Sequence, residues 1–433
     1  MYIAIAAVFV LGYIAIALEH KIKLDKAASA ILTAVLCWVL LMFGKEDILS
    51  LPTESATLLV EGSLMHHLGE IGGILFFLLG AMTIVELVDS YGGFDLVTKR
   101  ITTLNKSRLL WILTIITFFM SAVLDNMTTA IVMAALIRKI IHDKKDLWIF
   151  GGMIVLAANA GGAWSPIGDV TTIMLWIGGQ VTAGVIIMKL FIPSVVSILV
   201  PLLLISRKMK GNLASVVAPV NENEVSLRDK KIVLWAGVLA LVFVPVFKTV
   251  THLPPFLGIL FGLSIVWIIT EVLKHKRTTE THKSLTIGGV LQKIDTPSIL
   301  FFLGILLAVG VLQTAGHLGQ VAAALDTNVG NIWVINTLIG FVSSIVDNVP
   351  LVAGAIGMYG LDVYPQDHTF WVLLAYCAGT GGSCLIIGSA AGVAIMGILK
   401  IDFLWYLKNI TAYAVVGYLA GIATFLGMTV LLG

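Results

Sequence analysis

Long apolar runs separated by short polar intervals make up almost the whole sequence. Runs of roughly 20 apolar residues recur from one end to the other, which is the length that a helix needs to cross a bilayer. The composition agrees, because 58% of the 433 residues are hydrophobic and only 12% are charged, whereas about a quarter of the residues of a soluble domain are charged. The pattern predicts an all-α polytopic membrane protein with about ten transmembrane helices.

Basic residues are concentrated in a few of the polar intervals. By the positive-inside rule such clusters mark the cytoplasmic connections of a membrane protein. This rule places both the N-terminus and the C-terminus outside. The clusters that carry this prediction lie at 20–26, 99–108, 138–145 and 207–210.

Two apolar segments are predicted to be re-entrant hairpins. Segment 109–141 is longer than one crossing requires, and basic residues flank both of its ends. Segment 332–361 has no basic residue at either end and is expected to enter from the outside. An Asp-Asn pair stands near the middle of each segment, Asp125-Asn126 in the first and Asp347-Asn348 in the second. Non-helical backbone at membrane depth is tolerated only where it is enclosed by protein or lines a wet cavity, so both tips are predicted functional sites.

Two further segments are predicted to be helices broken near the middle of the membrane. Segment 147–178 contains Gly161, Gly162, Pro166 and Gly168, and segment 369–399 contains a similar run of glycine and serine. Glycine and proline interrupt helices, and broken helices in transporters form ion and substrate sites.

These motifs occur twice in the same order, which indicates an internal repeat. The first copy lies within 1–206 and the second within 231–433, with 207–230 as a cytoplasmic linker. The opposite charge bias around the two copies predicts two inverted-topology repeats, with a site at their interface.

Several polar residues in these segments are candidate ligands for a cation and a proton. A carboxylate inside a membrane span costs several kcal/mol unless it is paired, protonated or solvated, and therefore suggests a function. The tip aspartates could instead cap half-helices, and the tip asparagines could hold unwound backbone. The candidates are Asp125, Asn126, Asn159, Asp169, Thr171, Thr172, Ser343, Asp347, Asn348, Thr380 and Ser383. Glu70, Glu86 and Asp295 are possible proton relays.

Charge decides the expected substrate class. Around the hairpin tips and the helix breaks, the core segments carry three acids, Asp125, Asp169 and Asp347, and no lysine or arginine, which favours a cation such as Na⁺ at these aspartates. Na⁺ and H⁺ would compete for the same negative charge, which gives exchange directly. No resident cofactor and no catalytic residue are expected. The alternatives are an oxyanion or dicarboxylate permease and, from another class, an intramembrane aspartyl protease.

At these motifs the chain resembles the ion transporter superfamily, and most closely its NhaD-type Na⁺/H⁺ antiporters. The resemblance is carried by the sequences around Glu86, Leu124-Asp125-Asn126, Ala157–Thr172 and Ser343–Pro350. It implies exchange of Na⁺ or Li⁺ for H⁺ across a bacterial cytoplasmic (inner) membrane. It also implies a homodimer with elevator-type movement, and no nucleic-acid partner. Superfamily members that carry dicarboxylates have Ser-Asn-Thr at both hairpin tips, whereas this chain has Asp-Asn, as expected if a cation replaces the anion.

Overall fold

The computed structural model describes residues 1–17, 19–94, 96, 103–213, 225–275 and 286–432. Within these ranges the chain is helical and contains no β-strand. Residues 214–224 of the predicted linker, and the basic residues at 99–100 and 276–277, lie outside the described residues.

Within its described residues, the first part of the chain contains nine helices. They are α1 (Tyr2–Ala17), α2 (Glu19–Ile22), α3 (Lys26–Leu49), α4 (Thr53–Ser90), α5 (Lys106–Leu124), α6 (Asn126–Ile140), α7 (Lys144–Ala163), α8 (Val170–Ile177) and α9 (Ala183–Ser206).

The second part of the described chain contains eleven more. They are α10 (Leu227–Thr251), α11 (Pro255–His275), α12 (Ile287–Leu291), α13 (Thr296–Thr314), α14 (His317–Asn328), α15 (Ile332–Ser343), α16 (Asn348–Met358), α17 (Thr369–Gly381), α18 (Ala390–Leu399), α19 (Phe403–Asn409) and α20 (Thr411–Leu432).

The structure confirms an all-α polytopic membrane protein. In the described ranges, nine helices are long and apolar enough to cross a membrane. The number rises to ten if α18 and α19, which meet at an angle of 114°, count as one broken span.

Two connections differ from the pattern-based expectation. The sequence predicts a polar loop and a weakly amphipathic stretch over 45–68, followed by a helix over 71–88, but α4 runs without interruption for 38 residues. Acidic and polar residues do not break a helix, and Pro52 stands just before the helix, where proline is tolerated. The connection that follows α13, read from the sequence as an external loop, contains the 12-residue helix α14.

Helix interruptions occur in all four predicted segments. Asp125 alone separates α5 from α6 and has a φ of 84°, a region that residues other than glycine rarely adopt. Residues 344–347 separate α15 from α16, 164–169 separate α7 from α8, and 385–389 precede α18. That the two hairpins enter from opposite sides of the membrane stays a prediction from the charge pattern.

The two broken helices form the core, and the two parts of the chain pack into each other around them. All residues over 150–163 and 370–384 are buried, as expected for helices that are apolar on every side. The second arm of the first hairpin, α6, packs against α18, and the corresponding arm of the second hairpin, α16, packs against α8. The four interruptions therefore meet in one region between the two parts.

The same hydrogen bond recurs in both parts. The Ser121 hydroxyl donates to the carbonyl oxygen of Ala158 at 2.5 Å, and the Ser343 hydroxyl donates to that of Ala378 at 3.0 Å. Each bond ties the first arm of a hairpin to the broken helix beside it.

A close helix–helix approach also recurs. A Cβ added at Gly161 would lie 2.2 Å from the carbonyl oxygen of Phe118, and one added at Gly381 would lie 2.2 Å from that of Gly340. Both distances are far below van der Waals contact, so only glycine fits at either position. Matched positions of the predicted repeat thus make matched contacts, while the repeats and their inverted orientation stay predictions.

Candidate functional site

Asp169 lies at the centre of the region where the interruptions meet. It precedes α8 as its N-cap and is 1% exposed. One carboxylate oxygen accepts hydrogen bonds from the backbone N–H and the hydroxyl of Thr171, both at 2.9 Å. The other oxygen accepts a 2.6 Å bond from the side-chain amide of Asn126. The break in the first broken helix thus places a buried carboxylate against the tip of the first hairpin.

The tip of the second hairpin reaches the same carboxylate. The amide nitrogen of Asn348 lies 3.5 Å from the oxygen that Thr171 also contacts. The two tip asparagines, each 5% exposed, therefore converge on Asp169 from two different hairpins.

Asn159, which is fully buried on α7, connects this carboxylate to the second broken helix. Its oxygen accepts a 3.1 Å bond from Asn126, and its nitrogen donates to the hydroxyls of Ser383 and Ser389, both at 2.8 Å. We refer to Asn126, Asn159, Asp169, Asn348, Ser383 and Ser389 as the central polar group. This group joins both hairpins and both broken helices through side-chain hydrogen bonds.

The tip aspartates cap helices, which is one of the alternatives that the sequence left open. Asp125 accepts from the backbone N–H of Thr128 at 2.8 Å and from its hydroxyl at 2.7 Å. Asp347 accepts from the backbone N–H of Val349 at 3.2 Å. Both carboxylates are half-buried. A carboxylate that caps a helix keeps its negative charge, so capping does not exclude a role in binding ions.

The remaining predicted ligands bond mainly to backbone. The Thr172 hydroxyl donates to the carbonyl oxygen of Asp169 at 2.8 Å, and the Thr380 hydroxyl donates to that of Tyr376 at 2.5 Å. Ser343 donates to Ala378, as described above. These hydroxyls stabilise the interrupted helices, whereas Thr171 also contacts the Asp169 carboxylate.

The three proposed relay residues lie in different surroundings. Glu86 pairs with Lys293 at 3.1 Å, and both line a cavity of about 190 Å³ that also touches Asp295 and reaches Thr128. Glu70 does not line this cavity; its carboxylate is 62% exposed and lies 3.4 Å from His66. The geometry thus connects Glu86 and Asp295, but not Glu70, to the first hairpin tip.

Two residues near the tips were not among the candidate ligands. Ser389 caps α18 and accepts a hydrogen bond from Asn159. It occupies the position in the second copy of the repeat that Asp169 occupies in the first, and this match could have identified it from the sequence. The ammonium of Lys26 lies 4.0 Å from the Asp347 carboxylate, and no local pattern linked these distant residues.

The aspartates of the sodium hypothesis do not form a single carboxylate cluster. Among the described residues, no three histidine, cysteine or acidic side chains lie close enough to hold one metal ion. A cation at Asp169 would therefore need amide, hydroxyl or carbonyl oxygens to complete its ligand set, and these are hard ligands suited to small cations.

Comparison with known proteins identifies the family. The model of the citrate transporter family, CitMHS, matches residues 1–368. The chain is 48% identical to sodium/proton antiporter 1 of Arabidopsis thaliana over 98% of its own length and 72% of the relative's. Sodium/proton antiporter 2 of the same plant is 43% identical over 98% of this chain and 99% of the relative.

A bacterial relative is also similar along most of its length. The Na⁺/H⁺ antiporter NhaD of Vibrio cholerae is 31% identical over 97% of this chain and 90% of the relative. These relatives are named as antiporters and not as enzymes, which agrees with the expectation of a transporter. The chain therefore belongs to the citrate transporter family and, within it, to the NhaD-type Na⁺/H⁺ antiporters.

Proposed function

We propose that this protein is a secondary active transporter that exchanges cytoplasmic Na⁺ or Li⁺ for external H⁺. The observation that carries the proposal is the buried Asp169 carboxylate, which accepts hydrogen bonds from a side-chain amide of each hairpin. The antiporter names of relatives that are 31–48% identical support the same activity.

The chemistry of exchange follows from the groups that surround Asp169. In the structure Asn126 and Asn348 direct their amide nitrogens at Asp169, which stabilises the carboxylate without a bound cation. Because a side-chain amide has an oxygen on its other branch, rotation of either amide would present a neutral oxygen ligand to Na⁺ beside the carboxylate. A proton on Asp169 removes the charge that Na⁺ requires, so the two ions compete and one leaves as the other binds.

The same charges disfavour an anionic substrate. Among the described residues, the central polar group contains a carboxylate and no lysine or arginine. A dicarboxylate or citrate bound there would bring like charges together, which is repulsive. The permease alternative is therefore less supported, although the family model is named for citrate transport.

The transport cycle and its membrane setting form the remainder of the proposal. The contacts that recur in the two parts support an internal repeat, and the charge pattern supports its inverted topology, which would give alternating access to a site at the interface. The resemblance suggests a homodimer that works by an elevator-type movement. The bacterial NhaD relatives favour a bacterial cytoplasmic membrane, and the charge pattern favours both termini outside.

Transport by the purified protein in liposomes tests the proposal. A pH dye inside the liposomes should report alkalinisation when Na⁺ or Li⁺ is added outside, because entering cations expel protons, and K⁺ should give a smaller signal. Asp125→Asn should abolish the signal, since asparagine caps a helix as well as aspartate but carries no charge. Asp402→Asn is the matched control, because Asp402 is an exposed helix cap that accepts from the backbone N–H of Trp405.

One result would replace the proposal by its main alternative. This is the absence of a cation-driven pH signal between about pH 6 and 9.5, together with uptake of labelled citrate or of a dicarboxylate.

A further inference from the structure

Lys26 brings a positive charge to the second hairpin tip. It is the first residue of α3, whose N-cap Asp25 accepts from the backbone N–H of Ala27 at 2.7 Å. The Lys26 ammonium lies 4.0 Å from the Asp347 carboxylate and 4.6 Å from the centre of the Phe301 ring. The start of a helix disfavours a cation, because the helix dipole is positive there. The Asp347 charge and the ring face compensate for this cost.

The two tips are therefore electrostatically different, although their sequences match. Both oxygens of Asp125 accept from Thr128, and within the described part of the chain Asp125 forms no ion pair. One oxygen of Asp347 accepts from a backbone N–H, and the other faces Lys26. The side chains of Lys26 and Asp347 are 26% and 19% exposed, so water screens their attraction only in part.

We infer that the Lys26 ammonium is a built-in cation that occupies the second tip and limits the number of ions bound per cycle. A free Na⁺ at Asp347 would lie within a few ångströms of a like charge, which is unfavourable. The transported cation is therefore bound around Asp169 and the first tip, while Asp347 stays neutralised by the protein itself. This assignment rests on the proposed function and deepens it, because it names a residue that sets the ion stoichiometry.

The geometry of the pair suits this role. At 4.0 Å the contact is an ion pair without a direct hydrogen bond, so no short directional bond fixes the hairpin to α3. The aliphatic stem of lysine also packs on apolar surface independently of its charge. Lys26→Met consequently removes the charge and keeps most of the stem.

The experiment counts bound ²²Na⁺ on the purified protein at saturating Na⁺ and alkaline pH. Lys26→Met should bind one more Na⁺ than the wild type, because Asp347 is no longer neutralised. Lys26→Met/Asp347→Asn should return to the wild-type count, and Lys26→Arg should keep it. Lys23→Met is the matched control, since Lys23 is exposed and precedes the same helix.

Two outcomes would overturn the inference. One is an unchanged count in Lys26→Met. The other is a count reduced by one in Asp347→Asn, which would make Asp347 itself a Na⁺ ligand; this second variant decides the question even if Lys26→Met does not fold. Failure of the proposed function is distinguishable, because the wild type would then show neither bound Na⁺ nor a Na⁺-driven pH signal.

Discussion

Replacing Asp169 with asparagine tests the central polar group most directly. The substitution keeps the size of the side chain and its ability to cap α8, since asparagine and aspartate are equally good N-caps. It removes the negative charge that Asn126, Asn348 and Thr171 surround, and it replaces one of the two acceptor oxygens with an amino group. We therefore expect the fold to remain and cation binding to be lost.

The size of the expected loss in cation affinity follows from the burial of Asp169. Asp169 is 1% exposed, so its charge is little screened by water. Two unit charges 4 Å apart attract by roughly 4 kcal/mol at an effective dielectric constant of 20. Since 1.4 kcal/mol corresponds to a factor of ten, cation affinity should fall by about 10²- to 10³-fold. Hydrogen bonds to a charged group contribute about 1.5–3 kcal/mol each, so weakening them lowers the stability of the fold, partly offset because a charge is no longer buried.

The assay measures Na⁺-driven proton flux in liposomes over a wide range of Na⁺ concentrations. The half-saturating Na⁺ concentration of Asp169→Asn should rise beyond the measurable range, while that of Asp402→Asn should match the wild type. Thermal unfolding in detergent confirms that the variant is folded. A folded Asp169→Asn protein whose half-saturating concentration rises less than about tenfold would refute the reasoning.

Three other changes test separate parts of the structure. Gly161→Ala places a Cβ 2.2 Å from a backbone carbonyl of α5, so it should prevent a monodisperse peak in size-exclusion chromatography. Gly184→Ala, with nothing within 4 Å, should behave as the wild type, and equal profiles for both would contradict the packing argument. Asn159→Ala leaves buried hydrogen-bonding groups unpaired at about 1–3 kcal/mol each, so the unfolding temperature should fall; an unchanged temperature would exclude a bridging role. Thr128→Val removes the hydroxyl bond to Asp125, worth about 1 kcal/mol. Because that bond favours the charged carboxylate, the half-saturating Na⁺ concentration should rise about fivefold, and more at low pH than at high pH; a rise independent of pH would contradict competition between H⁺ and Na⁺.

Sequence reasoning located the interruptions in the helices because their causes are local. Glycine, proline and an aspartate inside a long apolar segment disfavour a continuous helix wherever the segment lies in the fold. The breaks at 164–169 and 385–389 follow from this rule. The same reasoning overestimated the effect of acidic residues near Glu54 and Glu61, where α4 continues unbroken.

The orientation of the tip side chains could not be predicted in this way. The sequence favours Asp125 over Asn126 as an ion ligand, yet the aspartate turns back to cap its own helix and the asparagine reaches Asp169. That choice depends on the backbone conformation of one residue and on a partner 43 positions away. The contact of Lys26 with Asp347 depends on tertiary packing alone.

The bond from Asn159 to the second broken helix has a consequence for biosynthesis. Its hydroxyl partners lie 224 and 230 positions further along the chain. At about 5–20 residues per second, a ribosome needs roughly 10 to 50 seconds to make them. During that time the amide has no partner from the second broken helix, and an unpaired polar group in lipid costs several kcal/mol. The hydrogen bonding of α7 is therefore complete only after the second part of the chain has been inserted beside it.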